Sequence, residues 1–261
     1  MSQTYSSDEM MTVTAARMLR NGAVCFVGIG LPSTAANLAR LTHAPDAVLV
    51  YESGPIGAKP PVLPLSIGDG NLAETADTVV STPEIFRYWL QGGRVDVGFL
   101  GAAQLDRFAN INTTVIGSYV RPKVRLPGAG GAPEISSSAK EVLIIVKHSQ
   151  RTLVSKLDFV TSVGFLTGGD AREKLGLPGK GPVAVITDLC ILRPHPESRE
   201  LEVVRIHPGV SQAKIAESTG WEVRFSEECG ETEPPGSTEL EVLRDLKVRT
   251  AAAHGVWGAE T

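Results

Sequence analysis

The sequence has few cysteines, and their spacing excludes the usual cysteine-based frameworks. Its 261 residues contain three cysteines, Cys25, Cys190 and Cys229, which lie far apart and form no Cys-x-x-Cys pair. An odd number at such spacing indicates neither a disulfide framework nor a zinc site. We interpret all three as free thiols that pack as small apolar side chains. No metal site is predicted.

The chain also lacks an apolar run near the ~20 residues needed to span a bilayer. The N-terminus, Met1 to Glu9, is polar and acidic and does not resemble a signal peptide. We therefore predict a cytoplasmic protein without membrane contact. The net charge of -4 and the aromatic content of 5% argue against a nucleic-acid partner, which favours basic surfaces and stacking aromatics.

What the sequence does contain is an alternation of apolar runs with helical patterns. Ser6 and Glu9 have the spacing of a capping box and predict the start of a helix. The apolar runs 23–27 and 48–51 are typical of buried parallel strands, and a helix is predicted between them at about 32–42. This strand–helix–strand unit predicts the α/β class.

Further elements are expected along the rest of the chain. We predict a helix at 83–91, strands at 95–100 and 142–146, short strands at 159–161 and 183–187, a hairpin of 190–192 with 201–206, and helices at 210–218 and 239–252. The acidic, proline-containing segment from 227 to 236 is interpreted as an exposed linker. Residues 227–261 are thus predicted to form a linker and a C-terminal helix.

Two glycines after the first strand, Gly28 and Gly30, suggest a dinucleotide fingerprint, and Glu52 closes the next strand where a ribose-binding acid would lie. Ser33 stands at the position of the third glycine, however. A tight turn between strand and helix explains the pair equally well.

Glu52 and a later glycine cluster are the two other candidates. Glu52 ends a predicted strand, at the edge where α/β proteins build ligand sites; the alternative is a solvated acid. The cluster 128–132 could direct backbone N–H groups at an anion or a developing oxyanion; the alternative is a flexible hairpin loop.

At this point several motifs together resemble the class I CoA transferases. The segments that carry the resemblance are Tyr51-Glu52-Ser53-Gly54, Gln91 to Asp96, Leu100 to Gln104, Asn110-Ile111-Asn112, and Gly128 to Ala132. Two more, Gly28 to Pro32 and Lys156 to Ser162, look like segments of the glutaconate CoA-transferase β subunit. The resemblance extends over roughly residues 8 to 225, in order.

The resemblance implies an open, mostly parallel sheet with flanking helices and some antiparallel strands, in a single CoA-transferase β-type domain over 1–261. It implies a hetero-oligomer with an α subunit on a second polypeptide. Acyl-CoA and a carboxylate would be the substrates. Coenzyme A would be substrate and covalent intermediate, with no permanently bound cofactor.

The resemblance also assigns residues. It places Glu52 as the nucleophile and the backbone N–H of Gly131 in the oxyanion hole. Gly54 is expected to keep Glu52 accessible. Further residues expected to line the substrate site are Gly28, Gly30, Gly101, Gln104, Asn112 and Gly130.

Two other functions stay open. Relatives with this fold that lack the glutamate are hydrolases or decarboxylases of CoA thioesters, so a CoA-thioester hydrolase or a C–C-cleaving enzyme is the main alternative. A non-catalytic or dinucleotide-binding protein is the other. The segment 55–60 differs from that of the glutaconate enzyme, which makes glutaconate itself a doubtful substrate.

Overall fold

The structure, a computed structural model, describes residues 4–255. Its elements in chain order are α1 (Ser7–Arg17), β1 (Val24–Phe26), α2 (Leu31–Leu41), β2 (Val48–Val50), β3 (Pro55–Ile56), α3 (Gly70–Glu74), β4 (Thr78–Val79), α4 (Thr82–Glu84), a π-helix (Ile85–Leu90), β5 (Val97–Leu100), β6 (Gln104–Leu105), β7 (Ile111–Asn112), β8 (Val115–Gly117), β9 (Pro122–Arg125), α5 (Ala132–Ser138), β10 (Glu141–Ile145), α6 (Ala171–Lys174), β11 (Pro182–Ile186), β12 (Cys190–Pro194), β13 (Leu201–Ile206), α7 (Gln212–Ser218), β14 (Arg224–Glu231) and α8 (Ser237–Ala253). The chain forms two compact units. Among the described residues, one unit contains 4–85 and 235–255, and the other contains 86–234.

The first unit has a small mixed sheet. Strands β1 and β2 are parallel, with Cys25 opposite Leu49, and both side chains are fully buried. Strands β3 and β4 continue the sheet antiparallel. Because β1 and β2 are short and almost wholly apolar, they match the buried strands that the sequence predicts.

Helices α1 and α8 of the first unit are joined by two ion pairs. Arg17 donates from Nε and Nη2 to the carboxylate of Glu239, at 2.7 and 2.6 Å, and Arg244 Nε donates to Glu9 at 2.7 Å. Glu9 also accepts from the backbone N–H of Ser6 at 2.8 Å, which completes the predicted capping box.

The second unit has a six-stranded sheet. Strands β5, β10 and β11 are parallel neighbours. Strands β12 and β13 follow antiparallel and include the predicted hairpin, and β14 is parallel to β13. Two small antiparallel pairs, β6 with β7 and β8 with β9, lie in the chain between β5 and β10. The α/β class is confirmed.

Three predicted segments have a different structure. The helix expected at 83–91 is mostly a π-helix, in which Gln91 donates to the carbonyl of Phe86 five residues earlier. Residues 159–161 form no strand; the isolated bridge nearby is made by the next residue, Ser162, with Ile111. Residues 227–231, expected in a linker, belong to β14, which pairs with the edge of β13.

The three cysteines differ in their burial. All three cysteines are free; Cys25 and Cys190 are buried and Cys229 is half-buried. Burial raises the pKa of the Cys190 thiol to about 12, so Cys190 is an unreactive core residue. Within residues 4–255, no helix combines the length and apolar character of a membrane span.

Candidate active site

Glu52 lies in a tight turn directly after β2. The backbone N–H of Gly54 donates to the carbonyl of Tyr51 at 3.0 Å, which closes a four-residue turn with Glu52 and Ser53 at its centre. Tyr51 then donates to the carbonyl of Pro55 at 3.0 Å, so the chain reverses at once into β3. Glu52 is half-buried, whereas its neighbour Tyr51 is fully buried.

Gly54 is the residue that this turn requires. Its φ is +122°, a conformation that L side chains rarely adopt. A Cβ atom at this position would lie 2.1 Å from the carbonyl oxygen of Val80, far inside the contact distance of carbon and oxygen. The turn and the residue after β4 are further joined because Val80 N–H donates to the carbonyl of Gly54 at 3.1 Å.

Gly28 and Gly30 lie in the loop that follows β1. Since β1 and β2 are parallel neighbours, this loop and the Glu52 turn follow the same edge of the sheet, and Val27 N–H donates to the carbonyl of Val50 at 2.9 Å. Gly30 is the N-cap of α2 with φ +85°. The structure therefore brings four predicted site residues, Gly28, Gly30, Glu52 and Gly54, to one edge of the first unit.

Tyr51 anchors the turn to helix α2. Its side chain is fully buried, and its hydroxyl lies 3.4 Å from Ser33 Oγ and 3.5 Å from Asn37 Nδ2, both on α2. Burial raises the pKa of Tyr51, so the phenol stays neutral. Ser33, which breaks the dinucleotide pattern, thus has a structural contact of its own.

The glycine cluster lies in the second unit, between β9 and α5. Gly128 N–H donates to the carbonyl of Thr113 at 2.9 Å, and Ala132 N–H donates to the carbonyl of Ala129 at 3.0 Å. Gly130 is exposed, whereas Gly131 is buried and caps α5. The cluster is consequently an ordered loop that leads into a helix, which we call the glycine loop (residues 128–131).

Gln104 and Asn112 bind each other. Asn112 Nδ2 donates to Gln104 Oε1 at 2.7 Å, and Gln104 Nε2 donates to Asp158 Oδ2 at 2.9 Å. The hydrogen bond from Gln104 is the main reason that the pKa of the Asp158 carboxyl lies below its usual value. Gly101, the remaining residue that was expected to line the substrate site, is exposed and lies just after β5. The second unit therefore holds Gly101, Gln104, Asn112, Gly130 and Gly131.

Asp158 and Thr161 are residues that the sequence did not single out individually. Both lie in the segment 156–162, which the resemblance pointed to as a whole, without a role. Thr161 Oγ1 accepts from the N–H of Thr113 at 2.9 Å. The sequence motif pointed to the segment, but only the fold shows which groups Asp158 and Thr161 contact.

No metal cluster is found among residues 4–255: they contain no group of three or more His, Cys, Asp or Glu side chains placed to hold an ion. Among the predicted site residues are a carboxylate on a tight turn in the first unit and an ordered glycine loop in the second. Enzymes that transfer acyl groups use groups of these two kinds.

Comparison with known proteins gives the family. The family model described as Coenzyme A transferase matches residues 8–218, and the chain belongs to that family. The predicted enzyme class, CoA transferase, is confirmed. Enzymes of this family use coenzyme A as a substrate.

Two similar proteins and one crystal structure support the family assignment. The chain is 72% identical over 256 residues to a subunit of the 3-oxoadipate CoA-transferase of Pseudomonas knackmussii, covering 98% of each chain. It is 34% identical to a subunit of the glutaconate CoA-transferase of Acidaminococcus fermentans, covering 92% of each. The crystal structure of glutaconate CoA-transferase from that organism matches with a TM-score of 0.87 and 32% identity, over 93% of this chain and 94% of the other. The resemblance and the mostly parallel fold with some antiparallel strands are confirmed.

Proposed function

We propose that this chain is the glutamate-bearing β subunit of a class I CoA transferase, with Glu52 as its covalent nucleophile. The observation that carries the proposal is the turn at 51–54. It places a half-buried glutamate at the carboxyl edge of two parallel strands, in a chain of the coenzyme A transferase family. At that edge, α/β proteins bind their ligands.

The chemistry proceeds in two half-reactions. A carboxylate oxygen of Glu52 attacks the thioester carbonyl carbon, the C–S bond breaks, and CoA leaves as a thiolate with a mixed anhydride remaining. The thiolate attacks the glutamyl carbonyl, which forms the Glu52–CoA thioester and releases the donor carboxylate. The acceptor carboxylate then runs the same two steps in reverse. Each half-reaction exchanges one acyl bond for another, so no oxidant or reductant is needed.

Gly131 supplies the electrostatic part of this proposal. Its backbone N–H donates to the oxyanion that forms when the thioester carbonyl is attacked, a contribution of about 3 kcal/mol for one donor. Gly54 keeps the Glu52 turn closed and free of side-chain bulk. Gly28, Gly30, Gly101 and Gly130 supply backbone surface to the substrate.

The partner and the substrates follow from the similar proteins. Both relatives are named as one subunit of a larger enzyme, which supports an α subunit as the partner of this chain. The name of the relative at 72% identity supports a 3-oxo dicarboxylate such as 3-oxoadipate as the carboxylate substrate. We further propose a cytoplasmic location and one functional β-type domain over the whole chain.

The test is to trap the Glu52–CoA thioester. The chain, purified together with its partner subunit, is incubated with acyl-CoA and reduced with borohydride, and the peptide that contains 51–54 is examined by mass spectrometry. We expect Glu52 reduced to the alcohol, and only when acyl-CoA was present. Modification of a different residue, or none under conditions of measured turnover, would show that Glu52 is not the nucleophile.

A CoA-thioester hydrolase on the same fold is the less favoured alternative, because the two relatives above carry transferase names. The same preparation decides between them. Rapid release of free CoA from acyl-CoA, without any carboxylate acceptor, would favour the hydrolase.

A further inference from the structure

The segment 156–162 is the motif that the proposed chemistry leaves without a role. It has no regular secondary structure beyond the bridge of Ser162 with Ile111. Its backbone is nevertheless fixed, because Thr161 and Ser162 both donate to the carbonyl of Ile111, at 2.8 and 3.1 Å. The segment is therefore irregular but fixed beside β7, so that its side chains can hold other parts of the chain in place.

The Thr161 hydroxyl binds the turn that follows β7. Thr161 Oγ1 accepts from the backbone N–H of Thr113 at 2.9 Å, and it lies 2.7 Å from Thr114 Oγ1, with which it shares a second hydrogen bond. One side-chain oxygen therefore holds two consecutive residues, 48 and 47 positions away in the sequence.

Asn112 holds the same turn from its other end. Its Oδ1 accepts from the N–H of Thr114 at 2.9 Å and of Val115 at 3.3 Å. Its Nδ2 donates to the carbonyl of Val115 at 2.7 Å, besides Gln104. Asn112 is fully buried, and every donor and acceptor of its amide is used, the condition under which a buried polar group stabilises one conformation.

The turn at 113–114 also holds the glycine loop. The carbonyl of Thr113 accepts from Gly128 N–H at 2.9 Å, and the carbonyl of Thr114 accepts from Leu126 N–H at 3.1 Å. Gly128 is the first residue of the loop, three residues before Gly131. The chain of contacts thus runs without interruption from the segment 156–162, through the turn 113–114, to the loop.

We propose that Thr161 and Asn112 are positioning residues for the glycine loop, and that the segment 156–162 exists to place it. This inference rests on the proposed function of Gly131. Neither side chain needs to touch the substrate: each fixes the turn on which the loop begins. A backbone donor acts only where the oxyanion forms, and a misplacement of about 1 Å can cost about 100-fold in rate.

The decisive variant is Thr161→Val, which keeps the shape and removes both hydrogen bonds. Because the oxyanion exists only in the transition state, we expect kcat to fall about tenfold to 100-fold, while KM for acyl-CoA changes less than about twofold. Thr161→Ser keeps Oγ1 and should retain kcat within about threefold. Rates are expressed per active site, counted by the Glu52 adduct, so that partial unfolding does not imitate the effect.

Thr219→Val is the matched control in the same unit. Thr219 is a buried threonine that also makes two hydrogen bonds, to His148 Nε2 at 2.9 Å and to the carbonyl of Ile215 at 2.8 Å, and neither bond leads to the turn at 113–114. It should lower the melting temperature and leave kcat per active site unchanged. Amide hydrogen exchange of the peptide 126–132 should accelerate in Thr161→Val but not in Thr219→Val.

The outcomes separate this inference from the function on which it rests. Wild-type complex that does not transfer CoA would overturn both. Normal transfer by wild type together with an unchanged kcat in Thr161→Val, or unchanged exchange of the loop peptide, would overturn the positioning role alone. An equal loss of kcat in Thr219→Val would show a general effect of destabilisation and would also reject it.

Discussion

The turn that carries Glu52 and the loop that carries Gly131 are held by different kinds of interaction. The turn is closed by backbone hydrogen bonds between Tyr51, Gly54 and Pro55, within five residues, in addition to its contacts with Val80 and helix α2. The start of the glycine loop depends instead on a turn fixed by the side chains of Asn112 and Thr161. A local backbone turn survives most changes elsewhere, whereas a loop held by distant side chains is sensitive to them.

The difference suits the two roles that we propose. A nucleophile on a flexible side chain tolerates small errors in its backbone, since Glu52 can adjust its own torsions. A backbone N–H donor has no torsion to adjust, and its position is that of the loop. The experiments below test this contrast, from the largest expected effect to the smallest.

Shortening Glu52 to Asp should have the largest effect. Glu52→Asp withdraws the carboxylate by about one C–C bond, and direct attack requires the reacting atoms at about 3–3.5 Å. We expect CoA transfer to be lost and slow hydrolysis of acyl-CoA to appear, because the shorter carboxylate can act as a general base on a water. The measurement is free CoA released without acceptor, in wild type, Glu52→Asp and Glu52→Ala. Equal inactivity of both variants would refute the hydrolysis argument.

Adding a side chain to the glycine loop should have the next largest effect. Gly131→Val should fold and lose about 100-fold in kcat, the usual loss when one oxyanion donor no longer reaches the substrate. Ala129→Val is the control, since Ala129 is an exposed residue of the same loop and should keep its rate. A Gly131→Val complex with normal kcat would mean that the loop is only a connection between β9 and α5.

Alanine substitutions at two glycines of the first unit test whether the Glu52 turn requires glycine at position 54. Both Gly54 and Gly30 have positive φ, a strain of about 1–3 kcal/mol for alanine. Only at Gly54 would the added Cβ also meet backbone, the carbonyl of Val80; at Gly30 it meets open space. Gly54→Ala should therefore destabilise the protein more than Gly30→Ala in urea unfolding. Equal losses would show that the close approach to Val80 relaxes at little cost.

The two units should lose stability at different pH values, because different ionisable groups stabilise them. In the second unit His148 is buried between Thr187 Oγ1, at 3.1 Å, and Thr219 Oγ1, at 2.9 Å, and burial lowers its pKa from 6.5 to about 4. Between these values only the unfolded chain takes up the proton. Stability should therefore fall as the pH drops from about 6.5 to about 4, by up to about 3 kcal/mol from this residue.

The first unit should respond at lower pH. Its Glu9 accepts from Arg244, and this bond lowers the pKa of the carboxyl from 4.5 to about 2, so its contribution is lost only below about pH 4.5. Unfolding followed between pH 8 and pH 3.5 should show the first loss of stability above pH 4.5. His148→Gln should reduce that loss, although burial lowers the pKa of His207 in the same direction. An unchanged pH profile in this variant would remove His148 as the cause.

Much of the fold could be predicted from local sequence. The apolar runs at 23–27 and 48–51 became β1 and β2, because continuous apolar residues favour buried parallel strands. Ser6 and Glu9 became a helix start. The polar segment at 227–231 misled, because an edge strand needs few apolar side chains and its pairing with β13 leaves no local pattern.

By itself, the sequence determined that Glu52 lies on a turn between two strands. Position 54 of this turn requires a glycine, because only glycine tolerates its conformation and its close contact with Val80. Only the tertiary structure decided what Gln104, Asn112, Asp158 and Thr161 do. The hydrogen bonds of Gln104 with Asp158 and of Thr113 with Thr161 join residues about 50 positions apart. A polar side chain carries no record of its partner in the sequence, because that partner is set by which backbone segments the fold brings together.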